Sequence, residues 1–220
     1  ALVHGFELFA GGSLKGFLLE GREGRVLLAE PVLGPVTVPL DRVRRIRFRT
    51  VLGLGFNFVL AADFYADAIF RIGADARVTW RLEKLKTPWD VELLPSGNLL
   101  VCQQDGRIRE LTPAGKELWS RGGFNTPYDA DKLPNGNYLV ADTGNRRIVE
   151  IDRQGKVVWE YDRVDPFDVE RLPSGNTLVA DWKGKRVIEI DPAGAIVWSV
   201  NDIKDPYDAD RLANGNTLIT

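Results

Sequence analysis

Four times in this chain a proline is followed by an aromatic residue and then an aspartate: Trp89 with Asp90, Tyr128 with Asp129, Phe167 with Asp168, and Tyr207 with Asp208. Two residues on stands a second acid, Glu92, Asp131, Glu170 or Asp210. The period-two geometry of a strand turns both acids to one side. Rings of carboxylate suit a metal such as calcium, which prefers several oxygen ligands, with Asp90, Asp129, Asp168 and Asp208 as the candidate metal ligands. They equally suit a cationic organic ligand held against the aromatic faces. The plainer expectation is structural: a residue that recurs in every unit serves a need of every unit, most simply a carboxylate accepting backbone N–H groups from an adjoining loop. Lys132, Arg171 and Arg211 adjoin these acids and are expected to pair with them across units.

The elements that position these residues follow from a repeat. TPWD, TPYD, DPFD and DPYD begin at 87, 126, 165 and 205, so they stand 39, 39 and 40 residues apart. Trp80, Trp119, Trp159 and Trp198 mark the same beat, as do LPSGN, LPNGN, LPSGN and LANGN. Such a period decides the architecture. Within a unit, short runs rich in Val, Ile, Leu and aromatics alternate with turns built on Pro, Gly, Asn and Asp. YDADKL, NYLVAD, RIVEID and VVWEY predict four antiparallel strands, which is the pattern of a propeller blade. One blade cannot bury both faces of its sheet, so neighbours must stack and the Trp, Ile and Leu columns become core between blades. The expected blades are 50–86, 87–125, 126–164, 165–204 and a partial 205–220. The partial unit predicts further blades beyond residue 220, or else closure of the ring by its two strands pairing with the first blade.

Residues that differ between units are the better candidates for ligand binding, because the repeated duty does not hold them. On the loops joining second to third strands these are Phe64 and Tyr65 after Asp63; Gln103 and Gln104 before Asp105; Asp142, Asn145 and Arg146 around Thr143; and Asp181, Trp182 and Lys183. Trp182 stands out as a large indole between an acid and a base, in the manner of a binding hot spot. Ordinary packing over a blade edge is its alternative.

Residues 1–49 leave the beat. GSLKGFLLEGREGRVLLAEPVLGPVTVPLDRVRRIRF reads as four or five strands with Gly-rich turns, similar to a small Sm-like or SH3-like β-barrel domain. RVRRIRFR, at 42–49, has five arginines in eight positions, and alternation would set Ile46 and Phe48 inward and Arg45, Arg47 and Arg49 outward. A solvated face or a contact with the acidic propeller is favoured there over nucleic acid, since interleaved aromatics are lacking. With 44% hydrophobic and 27% charged residues and a net charge of -2, the composition is that of a soluble globular protein with no overall pull toward polyanions. Cys102, the single cysteine, excludes an internal disulfide and reads as a small buried hydrophobe. No apolar run is long enough for a membrane-spanning helix. His4 is the only histidine, and no nucleophile with an activating base can be assembled.

VADTGNRRIVEIDRQGKVVWEY, residues 140–161, resembles the NHL-repeat family. The D-x-x-G-x-x-x-W element of DRQGKVVW and DPAGAIVW is similar to the blades of PQQ-like propellers, the quinoprotein-type and aryl-sulfotransferase-like ones among them. The resemblance covers residues 56–220 and implies the fold more than an activity. A histidine nucleophile of the sulfotransferase kind is not matched, since His4 lies outside the repeats. It implies PQQ or calcium as cofactors without assigning them ligands. The expectation is a non-catalytic binding or scaffolding module that engages a protein or small-molecule ligand through the channel-mouth face. The alternative is a quinone- or metal-dependent enzyme using the acidic mouth. Nucleic acid is not expected as partner. The resemblance, with the missing start methionine of a trimmed or processed chain, leans toward a periplasmic or secreted location.

Overall fold

The computed structural model describes the backbone of residues 4–9, 13–22, 25–30, 34–39, 43–51, 56–73, 77–212 and 214–220, and the side chains of 58, 60–73, 77–212 and 214–220. Its described elements are strands, with a single 3-10 turn at Thr143–Asn145. The chain divides into two compact units, Ala1–Val91 and Glu92–Thr220.

In the first unit β1 (His4–Phe9), β2 (Ser13–Arg22), β3 (Arg25–Glu30) and β4 (Gly34–Pro39) form one antiparallel meander in that order. A second meander runs through β5 (Val43–Val51), β6 (Phe56–Asp63), β7 (Ala68–Gly73) and β8 (Val78–Leu82). The arginine-rich run therefore lies in β5 and pairs with β6, Arg45 facing Ala62 and Arg47 facing Leu60. The sheet that carries Trp80 thus starts at Val43. The side chains of Arg45, Arg47 and Arg49, and that of His4, lie outside the described residues.

The boundary between the units falls within β9 (Pro88–Leu93), which forms a four-stranded sheet with β10 (Leu99–Gln103), β11 (Arg107–Leu111) and β12 (Glu117–Gly122). The next blade is β13 (Pro127–Lys132), β14 (Tyr138–Asp142), β15 (Arg147–Ile151) and β16 (Val157–Asp162). Then follow β17 (Pro166–Arg171), β18 (Thr177–Asp181), β19 (Arg186–Ile190) and β20 (Ile196–Asn201), and a pair, β21 (Ala209–Arg211) with β22 (Thr217–Ile219).

The repeated LPxGN phrase is the turn between first and second strands. In each copy the leucine N–H donates to the asparagine carbonyl and the glycine N–H to the leucine carbonyl, as in Leu133 with Asn137 and Gly136 with Leu133. Gly136 has φ +88°, which only glycine adopts without strain. The second strands β10, β14 and β18 are buried on both faces, which is why they read as unbroken apolar runs rather than alternating ones. Leu139, Ala141 and Ile148 meet Val179, Ile188 and Ile190 in one core between blades. The intervening residues Leu178, Ala180 and Val187 turn the other way and pack with Ala209 and Ile219 of the following pair.

Trp119 and Trp159 are half-buried and clasp the next blade through their indole N–H groups. Trp119 Nε1 donates to the Arg153 carbonyl at 2.8 Å, and Trp159 Nε1 to that of Pro192 at 3.1 Å. Each outer strand carries a β-bulge just before its tryptophan: Glu110 pairs Trp119 while Leu111 pairs Glu117, leaving Leu118 unpaired, and Val158 and Val197 repeat this. A bulged edge strand makes a poor template for pairing with another chain.

Candidate functional site

The recurring acids of the first strands are staples between blades. Asp129 Oδ2 accepts the Val169 N–H at 3.0 Å, and Asp168 Oδ2 accepts the Ala209 N–H at 3.1 Å. Glu92 Oε2 takes the Lys132 N–H and Glu170 Oε2 that of Arg211. Asp90, like Asp129 and Asp168, is buried, and Asp208 holds the equivalent place before β21. Among the described residues no group of three or more Asp, Glu, His or Cys is arranged to hold a metal ion.

The basic residues after these acids pair elsewhere than the sequence suggested. Lys132 Nζ lies 2.7 Å from Glu110 Oε2, Arg171 Nη2 2.9 Å from Glu150, and Arg211 Nη2 2.7 Å from Glu189. The acid in each case is on the third strand of the preceding blade. Its second oxygen accepts the turn asparagine, Asn98, Asn137 or Asn176. Arg171 and Arg211 also lie 5.0 Å over the rings of Trp159 and Trp198. The pairing expected across units is present, but its acids are those of the third strands and not those of the first strands. The recurrence of Glu110, Glu150 and Glu189 was the signal that could have exposed this. Burial pushes the Glu110 carboxyl up, but the Lys132 bond and charge, with Asn98 and Tyr138, outweigh it and hold the group below the usual carboxylate value. Glu170 is pushed up by burial, with the Asp210 and Asp208 charges adding to it against the Arg211 N–H.

The loops between second and third strands place the remaining candidates. Asp142 is fully buried: Oδ1 accepts the Asn125 N–H at 2.7 Å, and Oδ2 accepts Asn145 Nδ2 at 2.9 Å and Arg147 Nε at 2.8 Å. Asp181 does the same for the N–H groups of Asp165 and Gly184 and for Arg186 Nε. Both aspartates therefore share a repeated structural duty, tying the loop to the approach to a first strand, and are not the singular residues their neighbours suggested. Asp63 caps its own loop through the Tyr65 and Ala66 N–H groups. Gln103 is buried at the position of Asp142, with Gln104 exposed beside it. In the first unit Phe64 stands edge-on to both Tyr65 and Trp89, at 5.1 and 5.0 Å between centroids.

What breaks the symmetry of the second unit is an aromatic cluster. In β13 and β17 the register skips Tyr128 and Phe167, so each ring is the extra residue of a bulge and is aimed away from the ladder. Tyr128 lies 4.5 Å from Phe167, and Phe167 stands edge-on to Tyr207 at 4.8 Å and to Trp182 at 6.2 Å. Trp182 and Tyr207 stack at 6.4 Å. Beside them the buried Asp165 carboxylate receives two exposed cations from successive loops. Arg146 reaches Oδ2 through Nη2 at 3.2 Å and Lys183 reaches Oδ1 at 3.4 Å, their side chains 65% and 63% exposed. Lys183 also lies 5.6 Å from the Trp182 ring centroid. Asp165 was not singled out from the sequence. Its signal was the step from TP to DP in the repeat: Thr87, Thr126 and Asp205 occupy the same place with φ of 44°, 49° and 49°, and Asp165 does not share that backbone.

Blades of four antiparallel strands, stapled by their first strands and clasped by their outer ones, define a β-propeller. Residues 104–217 match the PQQ_2 family, described as outer membrane protein assembly factor BamB, and the chain belongs to that family. This bears out the resemblance to PQQ-like propellers. Solved structures show the same fold. A protein of unknown function from Bacteroides caccae is 20% identical with a TM-score of 0.67, over 94% of this chain and 82% of that one. The WD40 propeller domain of Doa1 is 14% identical with a TM-score of 0.71, over 94% and 70%. Virginiamycin B lyase from Staphylococcus aureus is 12% identical with a TM-score of 0.63, over 100% and 88%. At these identities the likeness is one of fold. No curated protein matches the sequence. No described helix is long and apolar enough to cross a membrane.

Proposed function

We propose that this propeller is a non-catalytic binding module that engages its partner through the face carrying the starts of the first strands and the loops between second and third strands. One observation carries the reading: on that face the Tyr128, Phe167, Tyr207 and Trp182 rings gather in mutual contact, with Tyr207 45% exposed. Large rings held rigid by their neighbours give contact area at little conformational cost, which is how binding hot spots are composed. The carboxylates below them are committed to backbone N–H groups and hold the platform in place.

Selection of a displayed peptide library on the immobilised full chain, followed by hydrogen-exchange mapping of the selected peptides, tests this. Protection is expected at 163–168, 182–186 and 202–208, and Trp182→Ala should weaken binding at least about tenfold, as loss of a hot-spot ring does, with the unfolding midpoint little changed. Protection confined to the outer strands, or binding indifferent to Trp182→Ala, would overturn the reading.

A further inference from the structure

The charge beside the aromatic cluster narrows the partner. Arg146 comes from one blade and Lys183 from the next, and a single buried carboxylate, Asp165, serves both. Two cations against one anion leave the group with one uncompensated positive charge. The Arg146 guanidinium has five N–H donors in a fixed fork, of which the Nε hydrogen is given to Asp165 Oδ2 while Nη2 lies 3.2 Å from the same oxygen, so donors remain for an outside anion. Lys183 has three donors and meets Asp165 Oδ1 as an ion pair at 3.4 Å. Asp165 draws both side chains to one place, so a partner anion meets two cations side by side.

We propose that the site takes an acidic protein segment bearing an aromatic side chain, its ring against Trp182 and Tyr207 and its carboxylates on Arg146 and Lys183. The inference rests on the binding face proposed above and adds the chemistry of its partner. Charge complementarity selects the peptide over a nucleic-acid strand. A phosphate backbone needs a continuous track of cations, and the site presents two, Arg146 and Lys183. A peptide needs only two or three charges matched beside one seated ring. The Arg146 fork suits a carboxylate's two oxygens.

The test uses the full chain and defined peptides. A capped Glu-Glu-Trp-Glu-Glu peptide carrying 5-fluorotryptophan reports binding by fluorine NMR, and unlabelled peptides compete with it: the same sequence, its Lys-Lys-Trp-Lys-Lys counterpart, Glu-Glu-Ala-Glu-Glu, and a thymidine octamer. The acidic tryptophan peptide is expected to compete at least about tenfold better than either the basic or the alanine peptide, about the size of one good charge-assisted contact. Replacing Arg146→Gln and Lys183→Gln together should reduce the acidic-over-basic preference to about one. Because that variant leaves a buried carboxylate alone, the triple variant adding Asp165→Asn removes the charge with its partners and should lose the preference equally. Trp182→Ala should weaken the acidic and basic peptides alike. A preference that survives both charge variants, or a thymidine octamer that competes better than the acidic peptide, would overturn the proposal. If Trp182→Ala weakens binding while the charge variants do nothing, only the partner chemistry fails; if Trp182→Ala also does nothing, the binding face itself fails.

Discussion

Asp168 Oδ2 accepts the backbone N–H of Ala209, 41 residues further along the chain and one blade on. Asp129 does the same for Val169 at a separation of 40. The aspartate that recurs with the repeat is thus a bond between repeats, reaching the residue just after its own counterpart in the next blade. A sheet whose first strand is buried leaves some of its N–H groups without a ladder partner, and each such group must be satisfied. The carboxylate of the preceding blade does this, with the stronger hydrogen bond that an ionised acceptor makes.

Asp129→Ala should therefore destabilise the protein without altering its fold. The Val169 N–H would be left buried and unbonded, which costs about 1–3 kcal/mol. Chemical denaturation would show a lower urea midpoint at an unchanged slope, since the surface exposed on unfolding stays the same. A midpoint equal to that of the parent protein would mean that this aspartate has no stapling role.

The tryptophan clasp makes a separate prediction. Trp159→Phe keeps an aromatic body for the 5.0 Å contact with Arg171 but removes the Nε1 donor to the Pro192 carbonyl. About 1 kcal/mol should be lost, the net value of one such hydrogen bond. Adding Arg171→Leu to Trp159→Phe should show coupling in a double-mutant cycle, because the two side chains touch. Strict additivity of the two changes would deny the contact.

Much of this architecture was legible in the sequence because a repeat writes its constraints four times over. The LPxGN turn, the strand lengths and the beat of Trp119, Trp159 and Trp198 all name their elements without coordinates. What the sequence hid was which residues meet across the blade boundary. Lys132 stands next to Asp131 in the chain, yet its charge meets Glu110 on another sheet. Asp142 and Gln103 differ in type and so looked like positions released from structural duty, yet Asp142 is the most heavily bonded acid of its loop. The bulges that swing Tyr128 and Phe167 out of the ladder leave no compositional trace, so their meeting with Trp182 and Tyr207 was not foreseeable from spacing.

Gly106 should be intolerant of any side chain. Its φ of +79° is strained for other residues, and a Cβ there would stand 2.6 Å from the backbone oxygen of Phe124, which cannot swing aside. Gly97 has a similar φ of +82° but open space around it. Gly97→Ala should cost about 1 kcal/mol, the conformational penalty alone, and Gly106→Ala distinctly more. Thermal unfolding of the two variants side by side separates the clash from the backbone preference; equal losses would show that the Phe124 carbonyl yields freely.

Glu110 and Glu170 should answer to pH with opposite signs. Lys132 and its companions hold the folded Glu110 carboxyl below its ordinary value of 4.5. Its contribution is complete above that value and is lost as pH falls through the lower folded value. Glu170 is raised by burial and by Asp210 and Asp208. Its charge opposes folding, so stability falls as pH rises through the raised folded value and is unaffected by Glu170 below 4.5. Glu110→Gln should then be weaker than the parent protein near neutrality, with a deficit that shrinks as the solution is acidified below 4.5. Glu170→Gln keeps an oxygen for the Arg211 N–H and should be as stable as the parent or more so near neutrality, its advantage vanishing on acidification. Urea midpoints measured at matched ionic strength from neutral to acid pH would trace both differences. Curves that run parallel to the parent across the whole range would remove the charge argument for both residues.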